Sequence, residues 1–308
     1  MTKPNTFIIG APKCGTTALA HYLSEHPAVY FSKPKEPFYW SGDIPRSKHE
    51  LQPHSLSEYL KLFDGADPKK HRVVAEGSTR YIRSKIAVNQ ILEFNSESKF
   101  IAMIRNPIEV VQSFHMEQLY VQHEDVKNFA EAWLVQDDRE KGRMMPKNST
   151  GADYVLYRKV ASFAEQVERF FRTVPESQRK LIIFDDLKSN PKDVYAGVLD
   201  FLSLPDDGRT DFSPVNSSHA QRWPALSRFY LYPPRPLEEP FRNIRRYLLQ
   251  HNVPGIKWIK SKLNVKRERV KVDESILSDV QNYFREDIEK LSVILQRDLS
   301  HWLESTNC

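Results

Sequence analysis

Apolar residues in this chain fall into short β-branched runs separated by longer stretches with helical spacing. Phe7-Ile8-Ile9, Val73-Val74-Ala75, Phe100-Ile101-Ala102-Met103-Ile104 and Leu181-Ile182-Ile183-Phe184 read as strands, with Val29-Tyr30-Phe31 as a further short one. Unbroken apolar runs of this length suit a parallel sheet covered on both faces, because neither side of such a strand meets water. Helical patterns lie between them at 16–26, 84–95, 107–122, 154–173 and 190–203. A last helix fits 274–296, where Ile276, Val280, Phe284, Ile288, Leu291 and Leu295 follow helical spacing. Pro107, directly after a strand, suits the first turn of a helix. The alternation predicts a doubly wound α/β fold, a three-layer sandwich with a central parallel sheet flanked by helices. In such folds ligands bind where strands end and helices begin.

Composition adds bounds. The chain has 308 residues, 40% of them hydrophobic, which is ample for one large domain covering 1–308. Residues 205–271 break the pattern: they are rich in proline and aromatics and read as an insertion or lid. Within it, 242–271 holds ten Lys/Arg and one acid, so it carries +9 of a chain whose net charge is +5. That segment is either a solvated basic face covering the site or a surface for an acidic polymer or membrane; the first is preferred, because basic runs are usually soluble surface. Two cysteines far apart, Cys14 and Cys308, argue against a disulfide framework. With a strand beginning within a few residues of the start and no apolar run of membrane-span length, a cytoplasmic enzyme is expected. No internal repeat and no Cys/His cluster with metal-ligand spacing is present, so no metal is expected.

The segment Gly10-Ala11-Pro12-Lys13-Cys14-Gly15-Thr16-Thr17 carries the clearest chemistry. Gly10 and Gly15 have the spacing of a nucleoside-triphosphate P-loop, which makes the expected fold P-loop-like. The lysine that should follow the second glycine is replaced by Thr16, and Lys13 sits inside the loop instead. The loop can still wrap an anion with backbone N–H groups and a helix start. Its cation is placed for the 5′-phosphate end of a nucleotide rather than for the β/γ-phosphates beside Mg²⁺. Cys14 lies in an electropositive loop that could lower its pKa, yet it reads as a small loop residue.

Pro-Lys-Cys-Gly-Thr-Thr resembles the 5′-phosphosulfate loop of sulfotransferases that use 3′-phosphoadenosine 5′-phosphosulfate (PAPS). The resemblance implies that Lys13 stabilises the leaving oxygen, and that Cys14, Gly15, Thr16 and Thr17 hold the 5′-phosphate. PAPS has a separate 3′-phosphate and needs a second anion site. Ile104-Arg105-Asn106-Pro107 followed by Ser113 resembles the family's 3′-phosphate motif, in which an arginine fork and a hydroxyl clamp phosphate. Lys33-Pro34-Lys35-Glu36-Pro37-Phe38-Tyr39-Trp40 is similar to the Lys-Glu-Pro-aromatic motif of the heparan-sulfate-type branch, which makes Glu36 the base. Members with a histidine base direct attention to His21 and His115 as alternatives.

Glu76-Gly77-Ser78-Thr79-Arg80-Tyr81 resembles the Glu-x-Ser/Thr-Pro-x-Tyr stretch of these enzymes, but Arg80 stands in place of a small or variable residue and no proline follows Thr79. Glu76 could orient Lys13 or an acceptor hydroxyl, or be a buried ion-pair partner. Asn216-Ser217-Ser218 with Arg222 resembles the loop that closes over the nucleotide, which would add Arg222 to the 3′-phosphate site. The resemblance implies sulfuryl transfer from PAPS to an acceptor hydroxyl, or an amine, with 3′,5′-adenosine bisphosphate as product. Two alternatives stay open: a P-loop kinase using ATP and Mg²⁺, and a non-catalytic binder of anionic polymers along 242–271. Phe38, Tyr39, Trp40, Trp223, Phe229, Tyr230 and Tyr232 could line an acceptor site or belong to the core. The chain specifies neither the acceptor nor an oligomeric state.

Overall fold

The structure is a computed structural model that describes residues 2–47, 52–149, 151–213, 219–221, 229, 233–250, 264–266 and 272–304. The chain divides into two compact units, one of Met1–Ile44, Gln52–Arg105 and Glu165–Asn216, the other of Pro45–Leu51, Asn106–Ala164 and Ser217–Cys308.

The first unit is built on five parallel strands: β1 (Thr6–Gly10), β2 (Val29–Phe31), β3 (Val73–Gly77), β4 (Lys99–Ile104) and β5 (Arg179–Ile183), in the order β2-β3-β1-β4-β5. All residues of β1 and β3 are buried, which is why these runs carry no polar alternation. Phe7 stacks on Phe100 across the β1–β4 pair with ring centroids 5.7 Å apart. The helices in chain order are α1 (Thr16–Glu25), α2 (Leu56–Leu60), α3 (Ala87–Phe94), α4 (Pro107–Tyr120), α5 (Phe129–Leu134), α6 (Gln136–Glu140), α7 (Tyr157–Ala161), α8 (Phe163–Thr173), α9 (Phe184–Ser189), α10 (Pro191–Phe201), α11 (Glu238–Gln250) and α12 (Glu274–Leu295). Helix α1 packs on β1, β2 and β3, and α9 and α10 pack on β5.

Two features of this sheet position the site. The chain runs from β1 outward to β2, returns through β3, and then crosses to β4 on the other side of β1. The order therefore reverses at β1, and the loops leaving β1 and β4 part there, as at the ligand crevice of open α/β sheets. In addition, the β1–β4 register shifts between Ile8 and Gly10, a bulge that redirects the chain as it leaves the sheet.

The second unit holds α4 to α7, α11 and α12, with a short antiparallel pair, β6 (His219–Gln221) and β7 (Asn264–Lys266). Its core includes the buried rings of Trp133, Tyr157, Phe284 and Trp302. Trp133 Nε1 donates to Asp279 Oδ2 at 2.6 Å, and Asn106 Nδ2 donates to the Trp302 carbonyl at 3.1 Å. Asn106 also caps α4 by accepting from the Ile108 N–H, with Pro107 in the first turn as expected.

Two expectations about elements are corrected. The helix expected over 154–173 is two helices broken at Ser162, because Asp287 takes the N–H groups of Phe163 and Ala164 at 2.8 and 3.1 Å and starts a new helix there. The strand expected to end at Phe184 ends at Ile183, and Phe184 opens α9. The region 205–271, which has weak periodicity, nevertheless contains α11; most of 242–271 beyond that helix lies outside the described residues.

Candidate active site

The chain leaves β1 at Gly10, whose φ is 144°, and a β-carbon there would sit 2.5 Å from Ile82 Cγ2 and 2.7 Å from the Thr79 carbonyl oxygen. Gly15 closes the loop with φ 88°, and a β-carbon there would meet the Phe184 ring at 2.8 Å. Both glycines are thus fixed by close approach as well as by backbone angle. Lys13 itself takes a left-handed conformation at φ 64°. No side chain caps the start of α1, so the N–H groups at its first turn are presented without a side-chain acceptor.

Arg105, at the end of β4, brings the two sequence motifs together. Its Nη1 donates to the Lys13 carbonyl at 3.3 Å, and its guanidinium lies over the Phe184 ring, 4.5 Å from the centroid. The charges of Arg105 and Lys13 both act on the Cys14 thiol, which places two cations around one loop. That thiol is fully buried, its Sγ donates to the Pro12 carbonyl at 3.3 Å, and burial outweighs the cations and pushes its pKa up. The electropositive loop does not lower the Cys14 pKa, because desolvation dominates, and the group is a protonated packing residue. Thr16 is buried and Thr17 half-buried at the helix start.

Glu36 lies in the loop that follows β2, with φ 66°, and Phe38 has φ 51°. Lys35 Nζ donates to Glu36 Oε1 at 2.5 Å, and Thr79 Oγ1 approaches the same oxygen at 3.4 Å. The pair is partly open to solvent, at 22% and 33% side-chain exposure, so Glu36 can be reached. The Glu36 N–H donates to the Gly77 carbonyl at 2.9 Å, which ties this loop to the end of β3. Because β1, β2, β3 and β4 are parallel, the loops carrying Lys13, Glu36, Ser78 and Arg105 all leave the same edge of the sheet.

The candidate histidines are on other elements. His21 is 45% exposed on α1, 3.8 Å from Glu25, and lines a concavity of about 390 Å³ with residues 207–211 and Ser213. His115 is buried in the second unit, its Nε2 2.8 Å from the Val126 carbonyl and its ring edge-on to Phe129 and Tyr157. Ser113 is also buried on α4 and belongs to the second unit, while Arg105 belongs to the first. Arg222, Trp223, Tyr230, Tyr232 and Cys308 lie outside the described residues. Among the described residues no group of three or more His, Cys, Asp or Glu is arranged to hold a metal ion, and no helix is long and apolar enough to cross a membrane.

The family model described as "Sulfotransferase domain" matches residues 3–217, more than half of the chain. The chain belongs to the sulfotransferase family. It is 24% identical over 232 residues to the bifunctional heparan sulfate N-deacetylase/N-sulfotransferase 1 of Caenorhabditis briggsae, a match covering 71% of this chain and 25% of that protein. It is 29% identical over 150 residues to carbohydrate sulfotransferase 15 of Mus musculus, covering 37% of this chain and 27% of that protein. The chain thus spans about a quarter of the length of these curated relatives. Among solved structures, a sulfotransferase from Alicyclobacillus acidocaldarius superimposes with TM-score 0.71 at 22% identity, covering 98% of this chain and 99% of that one, which places this chain in the same α/β fold.

Sequence reasoning named Glu76 with its role open, and the structure resolves its surroundings. The carboxyl is fully buried, accepts from Tyr59 and Tyr81 hydroxyls at 2.9 Å each on Oε1, and accepts from Ser78 Oγ at 2.7 Å on Oε2. Arg80 lies over the Phe38 ring, 3.7 Å from its centroid. The aromatic run is core: Phe38 and Trp40 are each 8% exposed, and Tyr39 stacks on Tyr59 at 4.8 Å. Phe229, by contrast, is exposed. Lys35, Tyr59 and Thr79 were not singled out for the site. Lys35 shows only as one member of a Lys-Glu pair, and Tyr59 carries no motif at all.

Proposed function

We propose that this chain transfers a sulfuryl group from PAPS to a hydroxyl or amine of a carbohydrate acceptor. The observation that carries the reading is the meeting of Lys13 and Arg105 at an uncapped helix start, closed by two glycines that tolerate no side chain. Two cations and a run of outward N–H groups suit a nucleotide that carries a charged 5′ end and a second phosphate. The carbohydrate acceptor is suggested by the names of the curated relatives, whose matched portions include most of this chain in one case.

PAPS, when bound, supplies the sulfuryl group and leaves as 3′,5′-adenosine bisphosphate. Lys13 offsets the negative charge that grows on the 5′-phosphate oxygen as its bond to sulfur breaks. Glu36 accepts the proton that the acceptor loses as its new bond to sulfur forms. Lys35, bonded to Glu36, orients that carboxylate. Gly15, Thr16 and Thr17, with the Cys14 N–H, hold the 5′-phosphate, and Arg105 serves the 3′-phosphate; the assignments of Ser113 and Arg222 to that second phosphate rest on the sequence motif alone. A cytoplasmic setting belongs to the same proposal.

The test is transfer of labelled sulfuryl groups from PAPS to desulfated heparin and desulfated chondroitin, in buffer with and without EDTA. Lys13→Ala and Glu36→Gln are each expected to lower kcat by about 10²–10³ with an unchanged melting temperature. Near-normal turnover in Glu36→Gln would move the base elsewhere, and no transfer from PAPS alongside EDTA-sensitive phosphoryl transfer from ATP would favour the kinase reading.

A further inference from the structure

The loop that carries Glu36 is sewn to β3 and the segment after it by four of its backbone N–H groups. Ser32 and Glu36 donate to the carbonyls of Ala75 and Gly77, both at 2.9 Å. The other two go to side chains: Phe38 donates to Ser78 Oγ at 3.1 Å and Trp40 to the Tyr81 hydroxyl at 3.3 Å. Those same two hydroxyls donate onward to Glu76. A hydroxyl has one proton and can turn it either way, whereas an ionised carboxylate only accepts. When ionised, Glu76 therefore draws both protons inward and leaves the lone pairs of Ser78 and Tyr81 facing the loop. This matters because Glu36 and Phe38 hold left-handed backbone angles that the chain would not keep unaided.

We propose that Glu76 is the positioning residue of the Glu36 loop, setting the direction of the Ser78 and Tyr81 hydroxyls that hold Phe38 and Trp40. It acts through these relays and does not touch the reacting atoms. The groups facing the carboxyl are Tyr59 from α2, Ser78 and Tyr81 after β3, and, more distantly, the Lys35 ammonium. The cooperative chain from loop N–H to hydroxyl to carboxylate depends on all its members keeping one polarity. In a Glu76→Gln variant the amide would donate toward one of these hydroxyls, whose own proton would then lose its acceptor. The inference rests on Glu36 being the base only for its consequence in turnover; its consequence in loop order stands without it.

The experiment is hydrogen–deuterium exchange of the full chain, read on peptides covering 33–41, with β1 and β3 peptides as internal reference. Glu76→Gln is expected to speed exchange in 33–41 by about tenfold, the scale of one lost hydrogen bond, with the reference peptides within about twofold of wild type. Ser78→Ala, which keeps the carboxylate but deletes one relay, should loosen the same peptide and decides the matter if Glu76→Gln fails to fold. In steady-state transfer from PAPS to desulfated heparin, Glu76→Gln should lower kcat about tenfold with an unchanged KM for PAPS, and should add nothing to Glu36→Gln in the double variant. Unchanged protection of 33–41 in both variants overturns the proposal, as does loosening spread evenly over β1 and β3. If instead Glu36→Gln keeps normal turnover while 33–41 loosens in Glu76→Gln, the choice of base is wrong and the positioning role stands.

Discussion

Among the described residues two glutamate side chains are buried, one in each compact unit, and they are treated in opposite ways. Glu124 faces the Arg139 guanidinium, which donates from Nη1 at 2.6 Å and Nη2 at 2.9 Å, and it also accepts from the Tyr157 hydroxyl. Glu76 meets three hydroxyls and no guanidinium. Burial raises the pKa of both. At Glu124 the bonds from Arg139 and Tyr157 outweigh it and hold the carboxyl below its usual range. At Glu76 burial wins over the hydroxyls and the Lys35 charge, and the carboxyl is pushed up to about 7. A full counter-charge makes a buried carboxylate a lock that ordinary pH does not touch, while neutral donors leave it balanced between two protonation states. The balanced one is the one that reaches the loop of the proposed base.

The largest effect should come from taking away the counter-charge. Arg139→Ala leaves Glu124 buried without a counter-charge, and should cost about 3–5 kcal/mol of unfolding free energy in denaturant melts. A loss below about 1 kcal/mol would mean that the pair does not lock the second unit, and the contrast with Glu76 would lose its basis.

The next effect is one of pH. Glu76 has a folded-state pKa of about 7 against an ordinary value of 4.5. A raised folded-state value means that the folded protein binds the proton more tightly than the unfolded chain. Its contribution is therefore fully present below about pH 4.5 and is lost as pH rises through about 7. Relative to Glu76→Gln, which cannot titrate, the wild type should gain roughly 3 kcal/mol of stability on going from pH 8 to pH 4.5. A flat difference across that window would show that the carboxyl is already paired, as Glu124 is. The same comparison in Glu124→Gln should show no gain on acidification, because a depressed pKa works in the opposite direction.

How much of this was legible in the sequence follows the reach of the interactions. The strands at 7–9, 73–75 and 100–104 were readable because their apolar runs are local and buried on both faces, and the edge strand at 29–31 because its run is local and apolar, though Tyr30 is half-buried. Gly10, Lys13 and Gly15 were readable because a loop that approaches its neighbours so closely restricts residue types over a few positions. The break at Ser162 was not, since the carboxylate that starts α8 belongs to Asp287, more than a hundred residues later. Nor was the setting of Glu76: its partner Tyr59 sits on a single-turn helix with no motif, and only folding brings that hydroxyl to the strand end. The candidate chemistry-bearing residues, and the Ser78 and Tyr81 hydroxyls with them, fall in motifs that a resemblance picks out, whereas the Tyr59 hydroxyl does not.

The smallest effect separates the two glutamates most finely. Tyr59→Phe and Tyr157→Phe each delete one hydroxyl donated to a buried carboxyl, and each should cost about 1 kcal/mol at neutral pH. Their pH dependence should differ. Tyr59→Phe removes a donor that favours the charged form of Glu76, so the pKa of that carboxyl rises further, and the stability loss should be larger at pH 8 than at pH 5. At Glu124 the Arg139 guanidinium remains on both oxygens after Tyr157→Phe, the carboxyl stays ionised throughout, and the loss should be the same at both pH values. Paired melts of the two variants at pH 5 and pH 8 decide the point. Equal behaviour would mean that three hydroxyls stabilise a buried carboxylate as firmly as an arginine does, and that Glu76 has no greater freedom to respond than its counterpart.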